Sequence, residues 1–233
     1  SAPNTVAFFI QAIVVLTEVW LISKLGTTSL AAVALAFPVI MLTQQMAFGA
    51  LGGAISSSIA RSLGAGQKER AEKLLWHSLF IAACGYLLFL VIFLVAGESI
   101  LKILGGKSTL LEESLMYCMI FLTGAIFIWL SGTLSATLRG MGNMRFPALL
   151  IMLGSVIQVF LAGGLILGWF GLPKLGIVGA PLSAITSGSF MSFVMLLKLS
   201  QSNSPVQLKF SRLTFQKDLF QDKNSVVVLN HQN

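Results

Sequence analysis

Charged side chains are scarce in this chain. Asp, Glu, Lys and Arg make up only 10% of its 233 residues, against about a quarter in soluble domains. Apolar residues make up 56%, and uncharged stretches long enough for a membrane helix of about 20 residues recur along the chain. The composition therefore excludes an ordinary soluble domain and predicts an all-α integral membrane protein.

Cysteine and histidine are also scarce, with two of each. Cys84 and Cys118 fall in separate apolar stretches, where a lone thiol is typical of a small packing residue, so no disulfide is predicted. His77 has no second His, Cys or Asp at ligand spacing, so no metal site and no cofactor are predicted. No Ser/His/Asp set or pair of carboxylates indicates an enzyme.

The uncharged stretches predict six transmembrane helices, at about 4–23, 30–59, 74–97, 114–137, 147–170 and 176–198. The second stretch is predicted to be one long tilted helix that is kinked or begins near Pro38. Residues 1–199 would form the helical bundle, and residues 200–233 a polar, basic cytoplasmic tail or linker.

The distribution of Lys and Arg predicts the orientation of the bundle. With six spans, one side carries eleven of these residues and the other side four. Basic loops stay in the cytoplasm, so both termini are expected there, as in a multi-pass protein of the bacterial inner membrane. This asymmetry accounts for the pI near 9.7 without a nucleic-acid partner.

Acidic residues are the scarcest charged group, with eight in the chain. Glu18 is the only one that lies inside an apolar run, with no other charge from Ser1 to Lys24. A bare carboxylate in lipid costs a few kcal/mol. Glu18 is therefore expected to face the bundle interior and to bind a proton or a cation, about 9 Å along the helix from its outer end.

Other polar or small residues at membrane depth have two readings each. Gln44, Gln45 and Gln158 either form hydrogen bonds between helices or line a wet cavity. Gly49, Gly53 and Ser57 recur every four residues, a spacing that predicts close packing against another helix in preference to a direct role in ligand binding.

Four stretches give the chain a resemblance to a known family. They are Glu18–Pro38, Gly49–Gly66, Leu138–Pro147 and Leu175–Ser183. In this order and spacing they resemble the multidrug and toxic compound extrusion (MATE) family of cation-coupled antiporters. Members have twelve spans in two six-helix lobes, and this chain resembles the N-terminal lobe alone, over about residues 3–200.

The resemblance implies roles for several residues. Glu18 falls at the family's acidic residue of the first helix, which is implicated in proton or sodium coupling. The family often has an Asn and an Asp in its fifth helix, and this chain has Gln158 and Ala162 at those positions. A Thr of the family's sixth helix corresponds to a position near Ala184 or Thr186. With one carboxylate instead of two, a proton is expected as the coupling ion in preference to sodium.

These expectations define a leading function and its alternatives. The leading function is proton-coupled export of organic cations or drugs across the membrane by a MATE-type transporter. The partner would be a missing second lobe, if the chain is truncated or frame-shifted, or a second copy of a half-transporter. The alternatives are a non-transporting membrane fragment and a lipid-linked saccharide flippase, which the absence of Lys and Arg from the predicted spans disfavours.

Overall fold

The computed structural model describes the backbone of residues 2–201 and the side chains of residues 9–201. The described chain is entirely helical apart from its loops, and its helices form six rods. Their bounds are α1 (Ala2–Ser23), α2 (Thr27–Gln44), a π-helical segment (Gln45–Ala50), α3 (Leu51–Gly64), α4 (Lys68–Ile103), α5 (Ser108–Gly140), α6 (Arg145–Leu167) and α7 (Gly179–Ser200).

Five of these rods are long and apolar enough to cross a membrane: Thr27–Gly64, Lys68–Ile103, Ser108–Gly140, Arg145–Leu167 and Gly176–Ser200. In the first rod, the part with described side chains is a shorter apolar helix, Phe9–Ser23. The predicted fold class of six helices is therefore confirmed. The polar tail predicted at residues 200–233 lies outside the described residues from 202 onward.

The second predicted span is one continuous rod, as expected, but its irregularity is not at Pro38. The helix begins at Thr27, passes through the exposed Pro38 without interruption, and changes to π-helix at Gln45. Within that segment Ala47 is buried against α5, and its carbonyl oxygen lies 2.8 Å from where a Cβ of Gly132 would be. The irregular segment is thus one place where the backbone of the rod closely approaches α5.

α5 is the centre of the bundle. It packs against α2, α3, α4 and α7, whereas α1 packs mainly on α6. Gly132 and Gly140 allow the close approach of the second rod, because a Cβ on Gly140 would lie 2.8 Å from the carbonyl oxygen of Ser56. Short backbone separation of this kind is the usual source of stability between membrane helices.

Gly49, Gly53 and Ser57 have no packing partner among the described residues, so their predicted contact with another helix stays a prediction. A Cβ added to Gly49 or Gly53 would meet nothing within 4 Å in residues 2–201, and Ser57 is exposed. The face of α3 that contacts α5 is the neighbouring one, with buried Gly52, Ile55, Ile59 and Ser62. The two faces are about 100° apart around the helix axis, which is one residue of α-helix.

Hydroxyl groups connect the rods through backbone oxygens. Ser187 Oγ donates to the Gly154 carbonyl at 2.7 Å, joining α7 to α6, and Ser192 Oγ donates to the Phe127 carbonyl at 2.8 Å, joining α7 to α5. Tyr86 Oη donates to the Thr123 carbonyl at 2.9 Å, joining α4 to α5. Each bond satisfies a polar group that would otherwise be costly at membrane depth.

Candidate functional site: a carboxyl–amide pair between α1 and α6

Glu18 is half-buried on α1. Its neighbours along the helix face, Val14, Leu21 and Ile22, are all less than 4% exposed. These apolar residues at positions three and four away place one face of α1 against the bundle. Because Glu18 is on this face, its carboxyl group points toward the neighbouring helices.

The partner of Glu18 is Gln158 on α6. Gln158 Nε2 donates a hydrogen bond of 2.7 Å to Glu18 Oε1, across 140 residues of sequence. An amide that donates to a carboxyl oxygen is a strong, charge-assisted contact when the carboxyl is ionised. Glu18 Oε2 accepts no hydrogen bond from the residues that the structure describes, so one oxygen is held and the other is available.

A tyrosine lies in the core beside this face of α1. Tyr117 of α5 is 6% exposed and belongs to the same buried cluster as Leu21 and Ile22 of α1. Sequence reasoning missed this residue. The available signal was that both tyrosines of the chain lie inside apolar runs, where a phenol is usually placed to form a hydrogen bond.

The position of the second acidic residue expected from the family is occupied by a buried alanine. Ala162 lies one turn after Gln158 on α6 and is fully buried. Among the described residues, no three His, Cys, Asp or Glu side chains lie together at metal-ligand spacing. Ala162 thus supplies no side-chain oxygen, and the hydrogen-bond partner that the described residues give Glu18 is the neutral amide of Gln158.

The other cavity-lining candidates do not join the pair. Gln44 is half-buried at the end of α2, and Gln45 is exposed at the start of the π-helical segment. Thr186 is exposed on α7, where its hydroxyl donates 2.8 Å to the Leu182 carbonyl of its own helix. Within the part of the chain that the structure describes, Gln158 is the only one of the four candidates hydrogen-bonded to Glu18.

Arg139 was assigned by the sequence to a loop, because the fourth span was expected to end at residue 137. The structure extends α5 to Gly140, so Arg139 lies in the last turn of this helix and not in a loop. Its guanidinium Nη2 lies 3.4 Å from where a Cβ of Gly52 would be. The side chain therefore packs against α3.

Comparison with known proteins gives the family of this six-helix bundle. The MatE family model matches residues 3–162, which is more than half of the chain. The chain belongs to this family, the multidrug and toxic compound extrusion transporters.

Two similar proteins show how much of the chain the likeness covers. The chain is 29% identical over 205 residues to a probable multidrug resistance protein of Bacillus subtilis, covering 88% of this chain and 43% of that protein. It is 27% identical over 202 residues to a protein of Shewanella oneidensis named as an FAD transporter, covering 85% and 44%. The chain spans less than half the length of both relatives.

A solved structure shows the same arrangement of helices. The chain superimposes on an outward-facing multidrug resistance MATE family transporter of the MOP superfamily with a TM-score of 0.85 and 28% identity. The match covers 94% of this chain and 48% of the transporter. The six described rods thus correspond to one lobe of a MATE transporter.

Proposed function

We propose that this lobe is the ion-coupling half of an antiporter that exports amphipathic organic cations in exchange for protons, and that Glu18 is the residue at which the two compete. The observation that carries the proposal is the hydrogen bond from Gln158 to Glu18. It holds the carboxyl at a fixed place between α1 and α6, while Oε2 is free to bind a proton or to face a cation.

Proton and cation movement would be coupled if Glu18 binds either a proton or an organic cation, but not both at once. A protonated carboxyl has no charge to attract an organic cation, and a carboxylate facing a cation loses much of its affinity for a proton. The amide of Gln158 donates to Oε1 in both cases, so the site does not need to reorganise. Binding of one species therefore releases the other, which is what antiport requires.

A proton suits this site better than sodium. Hard cations prefer several oxygen ligands, carboxylates above all, and Ala162 supplies none where a second carboxylate is expected. Gln158 uses its nitrogen toward Glu18, which leaves only the amide oxygen of that side chain as a further ligand.

Transport also needs a second lobe for this one to move against. Alternating access generally rocks one structural repeat against another around a site near the membrane midplane. The matched transporter is about twice as long as the matched region. We therefore propose that the lobe works beside a second six-helix lobe, from the same polypeptide or from another copy, in the bacterial inner membrane with its N-terminus in the cytoplasm.

The test is export of ethidium from proteoliposomes driven by a proton gradient, with Glu18→Gln as the variant. Glu98→Gln is the matched control, because Glu98 is an exposed carboxylate paired with Lys102 at the end of α4. We expect Glu18→Gln to reduce proton-driven export at least tenfold with the thermal midpoint unchanged, and Glu98→Gln to export normally. Export by Glu18→Gln equal to wild type would refute the proposal.

A further inference from the structure

Four exposed aromatic side chains form a continuous row at the end of the bundle where α1 ends and α6 leads into the loop before α7. Trp169 of this loop is in the middle of the row. Its ring centroid lies 6.4 Å from that of Trp20 on α1 and 6.5 Å from that of Phe170. Phe160 of α6 completes the row, with its ring centroid 6.0 Å from that of Phe170. These separations are typical of aromatic contact, so the row joins the end of α1 to α6.

The backbone of the loop holds two of these rings side by side. Trp169 folds back onto α6 at Gly163, because a Cβ on Gly163 would lie 2.8 Å from Trp169 Cε3 and glycine leaves this space free. Phe170 has a φ of 60°, in the left-handed region that is strained for a residue with a bulky side chain. Strain of this kind often marks a functional position. The Phe170 side chain is nevertheless 72% exposed, so contacts within the described chain do little to compensate for the strain.

The row offers both apolar surface and free hydrogen-bond donors. Trp20, Phe160 and Trp169 are each at least 45% exposed. Neither the Trp20 nor the Trp169 indole N–H donates a hydrogen bond to a residue that the structure describes. Such a surface suits a partner that has apolar atoms and oxygen acceptors at the same level. The interface between membrane and water is a partner of this kind, and tryptophan is enriched there.

Positive charge borders the row, and negative charge is absent from its surroundings in the sequence. Lys24 Nζ lies 5.1 Å from the ring centroid of Trp20, and Lys174 is exposed in the loop that follows Phe170. Residues 19–35 and 160–178 contain no Asp or Glu. Lysine is depleted where two proteins meet, whereas at a membrane surface its ammonium group reaches the headgroups. The charge therefore favours a lipid phosphate over a second protein as the partner.

We propose that the aromatic row, together with Lys24 and Lys174, binds the phospholipid headgroups at this end of the bundle. The rings lie at the level of the lipid ester groups, the indole N–H groups donate to ester or phosphate oxygens, and the two ammonium groups face phosphate. α1 and α6 both end here, which is where a membrane helix reaches the headgroups. Trp20 is about 200° around α1 from Glu18, so this surface is separate from the carboxyl–amide pair and independent of the cation exchange proposed there.

The first test measures the depth of the row in the membrane. The chain has four tryptophans. Trp76→Phe removes one of them, and Trp129 is 1% exposed in the core, so quenching by lipid reports on Trp20 and Trp169. The intact Trp76→Phe protein is reconstituted in phosphatidylcholine brominated either close to the headgroup or near the end of the acyl chain. We expect the shallow bromine to quench its fluorescence about twofold more strongly than the deep bromine. Adding Trp20→Phe and Trp169→Phe should remove this quenching.

The second test measures the contribution of charge. The intact protein is exposed to equal amounts of phosphatidylglycerol and phosphatidylcholine, and native mass spectrometry gives the ratio of the two lipids retained. Lys24→Gln combined with Lys174→Gln should lower this ratio several-fold. The matched control is Lys107→Gln, which removes an exposed positive charge at the same end of the bundle, just before α5. The control should leave the ratio unchanged.

Each test has results that overturn the proposal. Quenching by neither lipid would show that protein, such as a second lobe, covers the row, and stronger quenching by the deep bromine would place the rings among the acyl chains. An equal change of lipid ratio in Lys107→Gln and in the paired lysine variant, or no change in either, would show that Lys24 and Lys174 do not bind phosphate. The depth profile of Trp76→Phe alone decides the first point if the other tryptophan variants do not fold.

Discussion

The centre and the edge of this bundle are built differently. About half of α5 is buried, from Ser114 to Gly140, and its glycines bring neighbouring backbones into contact. On α1 only Val14, Leu21 and Ile22 are buried among the described side chains, whereas Phe9, Ile13 and Leu16 are at least 59% exposed. Stability therefore resides in α5, and α1 is attached by one face.

This contrast explains where a functional carboxyl can lie. A polar pair at the centre of α5 would replace packing contacts that hold four other helices. On α1 the pair of Glu18 and Gln158 displaces few contacts, because this helix is buried along one face alone. We therefore expect substitutions in α5 to change stability and substitutions in the pair to change coupling.

A large loss of stability is expected at Gly132. A Cβ there would lie 2.8 Å from the carbonyl oxygen of Ala47, and backbone cannot move aside as a flexible side chain can. We expect Gly132→Ala to cost about 1–3 kcal/mol, measured by thermal or denaturant unfolding in detergent.

Gly53→Ala is the control for this change, because nothing lies within 4 Å of its Cβ position in residues 2–201. It should be neutral or stabilise by up to about 1 kcal/mol through helix propensity. Equal loss of stability in both variants would show that α5 is not packed more tightly than the free face of α3.

The second prediction concerns the pair itself. Gln158→Leu removes the donor to Glu18 Oε1, and a side-chain hydrogen bond between membrane helices contributes about 0.6 kcal/mol to stability. We expect proton-driven export to fall about tenfold while the thermal midpoint stays within 2–3 °C, as for a substitution outside the core.

Gln45→Leu provides the comparison for Gln158→Leu. Gln45 is exposed, and its amide makes no contact with Glu18 within the described residues, so export should be unchanged. If both variants lose export equally, the loss does not come from the bond to Glu18.

The smallest expected effect is at the α6–α7 contact. Ser187→Ala removes a bond between helices to the Gly154 carbonyl, worth about 0.6 kcal/mol in a membrane protein. Ser183→Ala removes a bond within α7, to the Ala180 carbonyl, and should cost less. A larger loss for Ser183→Ala in unfolding measurements would contradict this order.

The six helices and the carboxyl were predictable because both follow from the cost of polar groups in lipid. Long uncharged runs must be helical, and Glu18 is the one acid inside such a run. The partner of Glu18 was not predictable from spacing, since the contact with Gln158 depends on α1 packing beside α6, 140 residues away. From the sequence, Gln158 was one of three glutamines that could either form hydrogen bonds between helices or line a wet cavity.

Two details show what composition cannot specify. A repeat of small residues indicates a rod that packs closely, but within the described residues the contact with α5 is at Gly52, beside the repeat at Gly49 and Gly53. Arg139 was counted with a loop because charge normally ends a span, whereas here the helix continues to Gly140. In both cases tertiary packing, not local sequence, decides which residues make the contact.

The most direct test of the account is proton release when an organic cation binds. Purified protein in weakly buffered detergent solution would be titrated with ethidium while the pH is recorded, for wild type and Glu18→Gln. If proton and cation compete at Glu18, wild type will release close to one proton for each cation bound, and Glu18→Gln will release none. Equal proton release from both proteins would contradict the assignment of coupling to Glu18.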